Sequence, residues 1–460
     1  MPEPAGILAE IVAAKRVEIA SRFDGVDLDS LRSGAEPTRK SLVEAIARPG
    51  ARFIFEIKKA SPSSGAIRAD ADVPAIARAY QGVADALSVL ADGPFFGGSL
   101  ADVTDARAEF DGPILAKDFF IDVRQVAEAR LAGADAILVM LSVLDDRRAA
   151  EMVDEARRFG MDALVEVHDE AEMRRALVLG APLIGINNRD LTDLSIDLAT
   201  TQRLAPMASN RLLVAESGIS GRADVERLVG AVDGFLVGSA LMRADRRGEA
   251  ARALAFGRVK LCGMRRGEDL AAGRPAAFAG FVFAAGSPRL ITTDEAAPLA
   301  DLARSRGQLT VGVFRGASVA EVAATASALN VHAVQIHGSI DAASLRRLIP
   351  ADCELWSAVA VGRDDLAVSC GDRLLFDNGD GGTGRRFDWS LIRGHPDLAR
   401  SLVAGGIGSA NARSAQALGA YAIDVGSAVD DVPGAKSPAK ITALFDALRP
   451  AGRNELRQCA

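Results

Sequence analysis

Three short apolar runs, Ala136-Ile-Leu-Val-Met140, Ala163-Leu-Val-Glu-Val167 and Leu183-Ile-Gly-Ile-Asn187, are separated by stretches rich in Ala, Arg and Glu with helical spacing. Runs of this length divided by helical segments are the mark of repeated β-α units that pair as a parallel sheet. The rhythm extends outward from these three. Upstream stand FIFEIK from Phe53, ALSVL from Ala86 and PILAK from Pro113; downstream stand LLVAES from Leu212 and GFLVG from Gly234, which completes eight. It then restarts with VKLC from Val259, GFVF from Gly280, TVGVF from Thr310, AVQIH from Ala333, ELWSAV from Glu354, RLLFD from Arg373, LVAGG from Leu402 and AIDVG from Ala422. An open doubly wound sheet more often has five or six strands, so eight followed by eight predicts an α/β chain of two consecutive (β/α)8 TIM barrels.

The length of 460 residues accommodates two such domains. The seam is expected after a helix from Leu241 to Phe256, dividing the chain into residues 1–257 and 258–460. A helix before the first strand, Ile7 to Ser21, is extra in the N-terminal barrel and could cover its bottom or reach its top. The polar tail Pro450 to Ala460 is expected to fray.

Composition narrows the function. The chain is 49% hydrophobic and 25% charged, with a net charge of −7 and its Lys and Arg scattered among acids, which argues against nucleic acid as a partner and for small molecules. The four cysteines show no Cys-x-x-Cys spacing and no nearby His pair, so neither a metal site nor a disulfide framework is suggested, and a reducing compartment fits. The stretch Met1 to Phe23 carries Glu3 and Glu10 and no uninterrupted apolar run, unlike a secretory signal. No segment reaches the roughly 18 continuous apolar residues of a membrane span. The expectation is a cytoplasmic protein with no membrane partner.

In a barrel only the C-terminal ends of the strands and the loops after them face substrate. The polar residues of the first half fall there: Glu56 and Lys58 with Ser61 beyond them, Lys117, Glu166, Asn187 and Arg189, Glu216-Ser217-Gly218, and Gly238-Ser239. A single Lys or Glu at a strand end is ordinarily a solvated rim residue. Glu56, Lys58, Lys117 and Glu166 sit in otherwise apolar strands, where unpaired charge is expensive, and together they predict a charged pocket. Small residues after the seventh and eighth strands of both halves, Ser217-Gly218 with Gly238-Ser239 and Gly405-Gly406 with Gly426-Ser427, fit the phosphate site common in barrels. The second half adds Cys262, Asp377, His337 and Arg289 at its strand ends and loops. A buried thiol is usually a small hydrophobe and Asp377 could simply open a turn; an acid and a thiol in one mouth also form a plausible acid–base pair. The match of Gly379 to Gly384 to G-x-G-x-x-G is rejected as a dinucleotide motif, because it follows a sixth strand and the next helix starts near Asp388.

These residues carry a resemblance that spans nearly the whole chain. FIFEIKKASPSSG, PILAKDFF, LVEVHDE, IGINNRDL, AESGI and FLVGSALM resemble, in order, the strand-end motifs of indole-3-glycerol-phosphate synthase. VKLCGM, GFVF with SPRLI, VGVF, AVQIHG, LLFDNGDGGTGRRFDWSLI, VAGGI and AIDVGSAV resemble phosphoribosylanthranilate isomerase. The resemblance implies a fused bifunctional enzyme of tryptophan biosynthesis acting on phosphosugars, with no metal or other cofactor, and a monomer is expected. It implies that the C-terminal barrel makes the substrate of the N-terminal one.

By the same matching, Asp377 is similar to the isomerase family's general acid and Cys262 to its base. Arg289, His337, Gly382, Thr383 and Gly384 would help hold substrate, and Gly405, Gly406, Gly426 and Ser427 its phosphate. In the synthase half Lys117 is similar to the general acid, Glu166 and Lys58 would serve dehydration, and Glu56 and Asn187 would orient lysines and substrate hydroxyls. Arg189 would clamp the anthranilate carboxylate, Phe96 and Phe119 would pack on its ring, Glu216 would contact substrate, and Ser61, Ser217, Gly218, Gly238 and Ser239 would hold phosphate. Ser64, Ala91, Pro94-Phe95 and Ser357 depart from the commoner pattern, and none of them is a proposed proton-transfer residue. A pair of barrels with aldolase or histidine-pathway chemistry is the nearest alternative; the first would need a Schiff-base lysine, the second paired aspartates at strand ends. A non-catalytic binding protein is the other, and complete acid–base sets in both mouths argue against it.

Overall fold

A computed structural model describes residues 6–362, 371–379 and 384–453. The candidates Gly382 and Thr383 lie outside the described residues. Each apolar run of the sequence is a strand. The first eight are β1 Arg52–Ile57, β2 Ala86–Leu90, β3 Ile114–Lys117, β4 Ala136–Met140, β5 Asp162–Val167, β6 Leu183–Asn187, β7 Leu212–Glu216 and β8 Gly234–Val237. They form a closed barrel in chain order, sealed by parallel pairing of β8 with β1 from Arg52↔Gly234 to Phe55↔Val237. The second eight are β9 Val259–Cys262, β10 Phe278–Val282, β11 Leu309–Arg315, β12 Ala333–His337, β13 Glu354–Ala360, β14 Arg373–Asp377, β15 Leu402–Val403 and β16 Ala422–Val425. They too close in order, β16 pairing with β9.

Why the strands read as unbroken apolar runs follows from their burial on both faces: one side fills the barrel and the other meets the helices. On β1, Phe55 turns outward onto Tyr80 of the helix Val73–Tyr80, the ring centroids 5.2 Å apart, while Glu56 takes the alternate, inner side. In the second barrel Phe278, Val311, Ala333, Trp356, Leu375 and Leu402 belong to one buried cluster. Asp or Ser side chains start many of the intervening helices, with Asp145 accepting from Arg148 N and Ser318 from Glu321 N, so the helix ends that face the mouths begin at defined residues.

By contact the chain separates into two compact units, Met1–Arg247 with Pro450–Ala460, and Gly248–Arg449. The early helix, Gly6–Arg22, reaches the top of the first barrel and not its bottom. Lys15, in its buried stripe, forms ion pairs of 2.9 Å with both Asp92 and Asp118, which follow β2 and β3. The bottom is closed by the helix Leu42–Ala47, whose cap Ser41 donates to Asp162 at the start of β5. The single helix expected from Leu241 to Phe256 is two, Ser239–Arg243 and Arg247–Phe256, because Ala244 is extended and its N–H closes back on Leu241 O. Arg252 of the latter helix donates to the Gly248 carbonyl one turn earlier and to those of Arg274 and Arg306, which precede β10 and β11. The tail does not begin to fray at Pro450: Ala51 N donates to Pro450 O at 2.9 Å, and the buried Arg453 guanidinium pairs with Asp233 at 2.7 Å.

Candidate active sites

In the first barrel the expected charged residues converge. Lys117 at the end of β3 places Nζ 3.0 Å from Glu216 Oε2 on β7 and 3.2 Å from Glu56 Oε2 on β1. The other oxygen of Glu56 is 2.6 Å from Lys58 Nζ. Glu166 on β5 lies 3.3 Å from His168 Nε2, and His168 Nδ1 lies 3.0 Å from Glu172 Oε2. Asn187 Oδ1 accepts from Arg189 N, and the Asn187 side chain also bonds Glu166.

The cluster holds one more carboxylate than cation: Glu56, Glu166, Glu172 and Glu216 against Lys58, Lys117 and His168. Burial disfavours every one of these charges, and neighbours decide which survive. Burial pushes Glu56 up, but Lys58 and Lys117 overcome it and hold the carboxyl at about 2. Burial opposes the Lys117 ammonium too, yet Glu216, Glu56 and Glu166 hold it above its ordinary range. Glu166 is likewise driven below its ordinary value by His168 and Lys117 against burial. Glu216 takes the remainder: burial and Glu166 push it up more than Lys117 pulls it down. His168 opposes burial through Glu166 and Glu172 and is raised to about 10, so it is a cation near neutrality.

Around this centre Ser61 is buried, with Oγ 3.4 Å from Ser63 Oγ. Phe96 and Phe119 are neighbours, their centroids 6.1 Å apart. Arg189 donates from Nη1 to Leu194 O. Ser217 and Gly218 form a left-handed turn, φ 62° and 84°. Gly238 precedes the short helix at Ser239 and has no side-chain cap. A Cβ on Gly238 would stand 2.2 Å from Glu56 Oε1, which accounts for glycine there.

In the second barrel Cys262, Arg289, His337, Asp377, Gly384, Gly405, Gly406, Gly426 and Ser427 line one cavity of about 440 Å³. Burial pushes the Asp377 carboxyl up, against a hydrogen bond from Asn378 N, and so favours the protonated acid. Burial also pushes the Cys262 thiol up, while Lys260 pulls it back. His337 contacts Gln335 Nε2 at 2.8 Å and is held down at about 4 by burial and Lys260, so it is neutral near pH 7. Gly405 and Gly406 are left-handed, φ 84° and 62°. The backbones of Gly238 (φ −122°, ψ −75°) and Gly426 (φ −116°, ψ −92°) take nearly the same shape, and neither is followed by a capped helix. The Arg289 guanidinium is held by Asp430 Oδ2 at 2.9 and 2.6 Å, and Lys436 bonds Asp430 Oδ1 at 2.7 Å and Gly426 O at 3.0 Å.

Sequence reasoning missed Lys15, His168, Glu172, Lys260, Asp424, Asp430 and Lys436. His168 and Lys260 stand two residues from Glu166 and Cys262 on the same inward faces, and that spacing is the signal available for them. No group of three or more His, Cys, Asp or Glu placed to hold a metal occurs among the described residues. No helix among them is long and apolar enough to cross a membrane.

Two closed barrels with unlike ionisable sets in their mouths define a tandem (β/α)8 enzyme of acid–base chemistry. Residues 8–254 match the family model for indole-3-glycerol phosphate synthase and residues 259–447 that for N-(5'-phosphoribosyl)anthranilate isomerase, and the chain belongs to the family that joins the two. It is 39% identical over 454 residues to the tryptophan biosynthesis protein TrpCF of Salmonella typhi, covering 96% of this chain and 99% of that protein. Identity to the TrpCF protein of Yersinia pestis is also 39%, over 457 residues, covering 96% of this chain and 94% of that one. The solved phosphoribosyl anthranilate isomerase of Thermus Thermophilus is 31% identical, spans 42% of this chain and 98% of its own, and has a TM-score of 0.37. The protein is a bifunctional enzyme of tryptophan biosynthesis with both activities.

Proposed function

We propose the following division of labour, with residues 1–257 carrying the synthase chemistry and residues 258–460 the isomerase chemistry; the matched ranges 8–254 and 259–447 support that division. In the C-terminal barrel Asp377 gives its proton to the ribose ring oxygen of N-(5-phosphoribosyl)anthranilate, opening the ring to an iminium. Cys262 as thiolate takes the C2 proton, and the resulting enolamine tautomerises to 1-(2-carboxyphenylamino)-1-deoxyribulose 5-phosphate. Arg289 and His337 hold the substrate together with Gly384 and the neighbouring Gly382 and Thr383, and Gly405, Gly406, Gly426 and Ser427 hold its phosphate through backbone N–H groups.

In the N-terminal barrel Lys117 protonates the ketone oxygen of that product while the ring carbon bearing the carboxylate attacks the carbonyl carbon. A carbon–carbon bond forms, CO2 leaves, and loss of the new hydroxyl as water gives indole-3-glycerol phosphate. Glu166 and Lys58 move the protons of dehydration, Glu56, Asn187 and Glu216 orient the lysines and substrate hydroxyls, and Arg189 takes the carboxylate with Phe96 and Phe119 against the ring. Ser61, Ser217, Gly218, Gly238 and Ser239 receive the phosphate.

The observation that carries this reading is the convergence of Lys117 on Glu56 and Glu216 in one mouth while Cys262 and Asp377 line a single cavity in the other. Fluorescence kinetics on the full chain test it. Cys262→Ala or Asp377→Asn should abolish isomerisation and spare indole-ring formation, and Lys117→Ala the reverse; either variant sparing its own reaction overturns the assignment. The enzyme works as a cytoplasmic monomer without metal or nucleotide. Loss of both activities on chelation, or a dimer mass in light scattering, would refute that part.

A further inference from the structure

Lys260 stands on β9 two residues before Cys262, so both side chains point into the barrel. It is fully buried, and its ammonium lies 3.0 and 2.9 Å from the two oxygens of Asp424, its ladder partner on β16. β10 leaves room for the lysine stem at Gly280, where a Cβ would be 3.0 Å from Lys260 Cε and 3.2 Å from Cys262 Cα. The ammonium faces the Cys262 sulfur as well as Asp424, and Asp424 lines the same cavity as Cys262 and Asp377. A buried ion pair is a poor way to stabilise a fold, since apolar residues of similar volume usually do as well.

We infer that Lys260, pinned by Asp424, is a positioning residue for isomerisation, its ammonium serving as the counter-cation of the Cys262 thiolate that takes the C2 proton. The inference rests on the reading of Cys262 as the base. In that step the proton passes from C2 to sulfur, the C–H electron pair becomes the C1–C2 double bond, and the C1–N π pair moves onto the iminium nitrogen. Lys260 stays protonated throughout. Burial drives the thiol away from ionisation, Lys260 draws it back, Asp424 opposes and Lys436 assists. Asp377, His337 and Arg315 complete the charged and titratable groups of the cavity, together with Arg289, whose charge is taken by Asp430. Asp424 keeps the buried ammonium charged and aims it.

The test is the double variant Lys260→Met/Asp424→Leu in the full chain, which removes the pair as a pair and so avoids stranding a buried charge. Three readouts are taken: the pH midpoint of iodoacetamide alkylation at Cys262, followed on its own peptide; the pH profile of isomerase kcat/KM; and synthase activity. Trp356 and Trp389, the two tryptophans of the chain, both lie in the second barrel, so their fluorescence reports its folding. The expected result is a midpoint raised by about one unit or more, with isomerase kcat/KM lowered about threefold to tenfold per unit, the alkaline limb displaced upward by the same amount, and synthase activity within about twofold of wild type. An unmoved midpoint overturns the inference, as does a loss of activity with no displaced limb. Lys260→Gln, which keeps a donor for Asp424 without the charge, decides by the same criteria if the double variant does not fold. Because alkylation reads the thiol itself, an activity-sparing Cys262→Ala would refute the base assignment and leave the midpoint as a separate result.

Discussion

Lys117 Nζ and Glu216 Oε2 are 3.0 Å apart, and the second oxygen of Glu216 is buried without a hydrogen-bond partner among the described residues. One carboxylate thus gives half its capacity to the lysine and keeps half in the mouth. With Glu56 on its other side, Lys117 is held as a cation in a place where burial alone would neutralise it. Lys117→Met keeps the length of the stem and removes the proton. It should lower synthase kcat by about 10²–10⁴-fold, the range for a general acid, and leave isomerase activity within about twofold. Steady-state assays of both reactions on one preparation check it. A synthase loss below about tenfold would mean that another group protonates the ketone.

The place of Glu216 depends on a residue with no side chain. A Cβ on Gly185 of β6 would stand 2.0 Å from Glu216 Oε1. Gly185→Ala should therefore turn the Glu216 carboxylate away from Lys117 while the barrel still closes, because the atom in the way is the tip of a side chain and not backbone. Synthase kcat/KM is expected to fall by about tenfold, a loss of about 1.4 kcal/mol, with isomerase kinetics unchanged. Wild-type synthase kinetics in this variant would show that the Glu216 contact does not contribute.

His168 and Glu56 make opposite contributions to stability as pH changes. The His168 imidazolium is raised to about 10 by Glu166 and Glu172 against burial, above the 6.5 of an unfolded histidine. Its stabilisation is complete below pH 6.5 and is lost as pH rises through about 10. Glu56 is held at about 2, below its ordinary 4.5, so its stabilisation is complete above 4.5 and is lost as pH falls through about 2. His168→Gln should flatten only the alkaline side. Measured by hydrogen exchange in β5 and corrected for intrinsic rates, wild type should lose at least about tenfold more protection between pH 7 and 10 than the variant, about 1.4 kcal/mol. Equal losses would place the alkaline sensitivity elsewhere.

The strands were legible because each is an apolar run long enough for one barrel stave and flanked by helical spacing, as Ala136–Met140 and Leu183–Asn187 illustrate. Glu56, Lys58, Lys117 and Glu166 stood out because a charge in such a run demands a partner, and Asp377 because it shares a mouth with Cys262. The partners themselves were hidden, since they are fixed by closure of the barrel and not by sequence neighbours. The partner of Lys260 is Asp424, which β16 brings against it from 164 positions along the chain. Lys15 falls on the apolar stripe of its helix with Leu8, Ile11, Val12 and Ile19, but the Asp92 and Asp118 that pair with it above the barrel lie far along the chain. The break at Ala244 left no mark in composition, because neither Pro nor Gly stands there.

The isomerase pair implies an unusual pH profile. Its proposed chemistry needs Asp377 protonated and Cys262 ionised, whereas a carboxyl is ordinarily a far stronger acid than a thiol and burial drives both groups upward together; we take that ordinary order to hold in the cavity. The active form is then a minor one whose fraction is constant between the two values: below the lower one the thiolate is lost faster than acid is gained, and above the upper one the acid is lost faster than thiolate is gained. The acid limb of kcat/KM therefore belongs to Asp377 and the alkaline limb to Cys262, the reverse of their roles. Asp377→Glu, which retains an acid on a longer arm, should move the acid limb and leave the alkaline limb in place, at an activity about 10²-fold lower. An alkaline limb that follows the carboxyl change would show that the carboxyl titrates above the thiol, and that the two groups are protonated in the order their roles require.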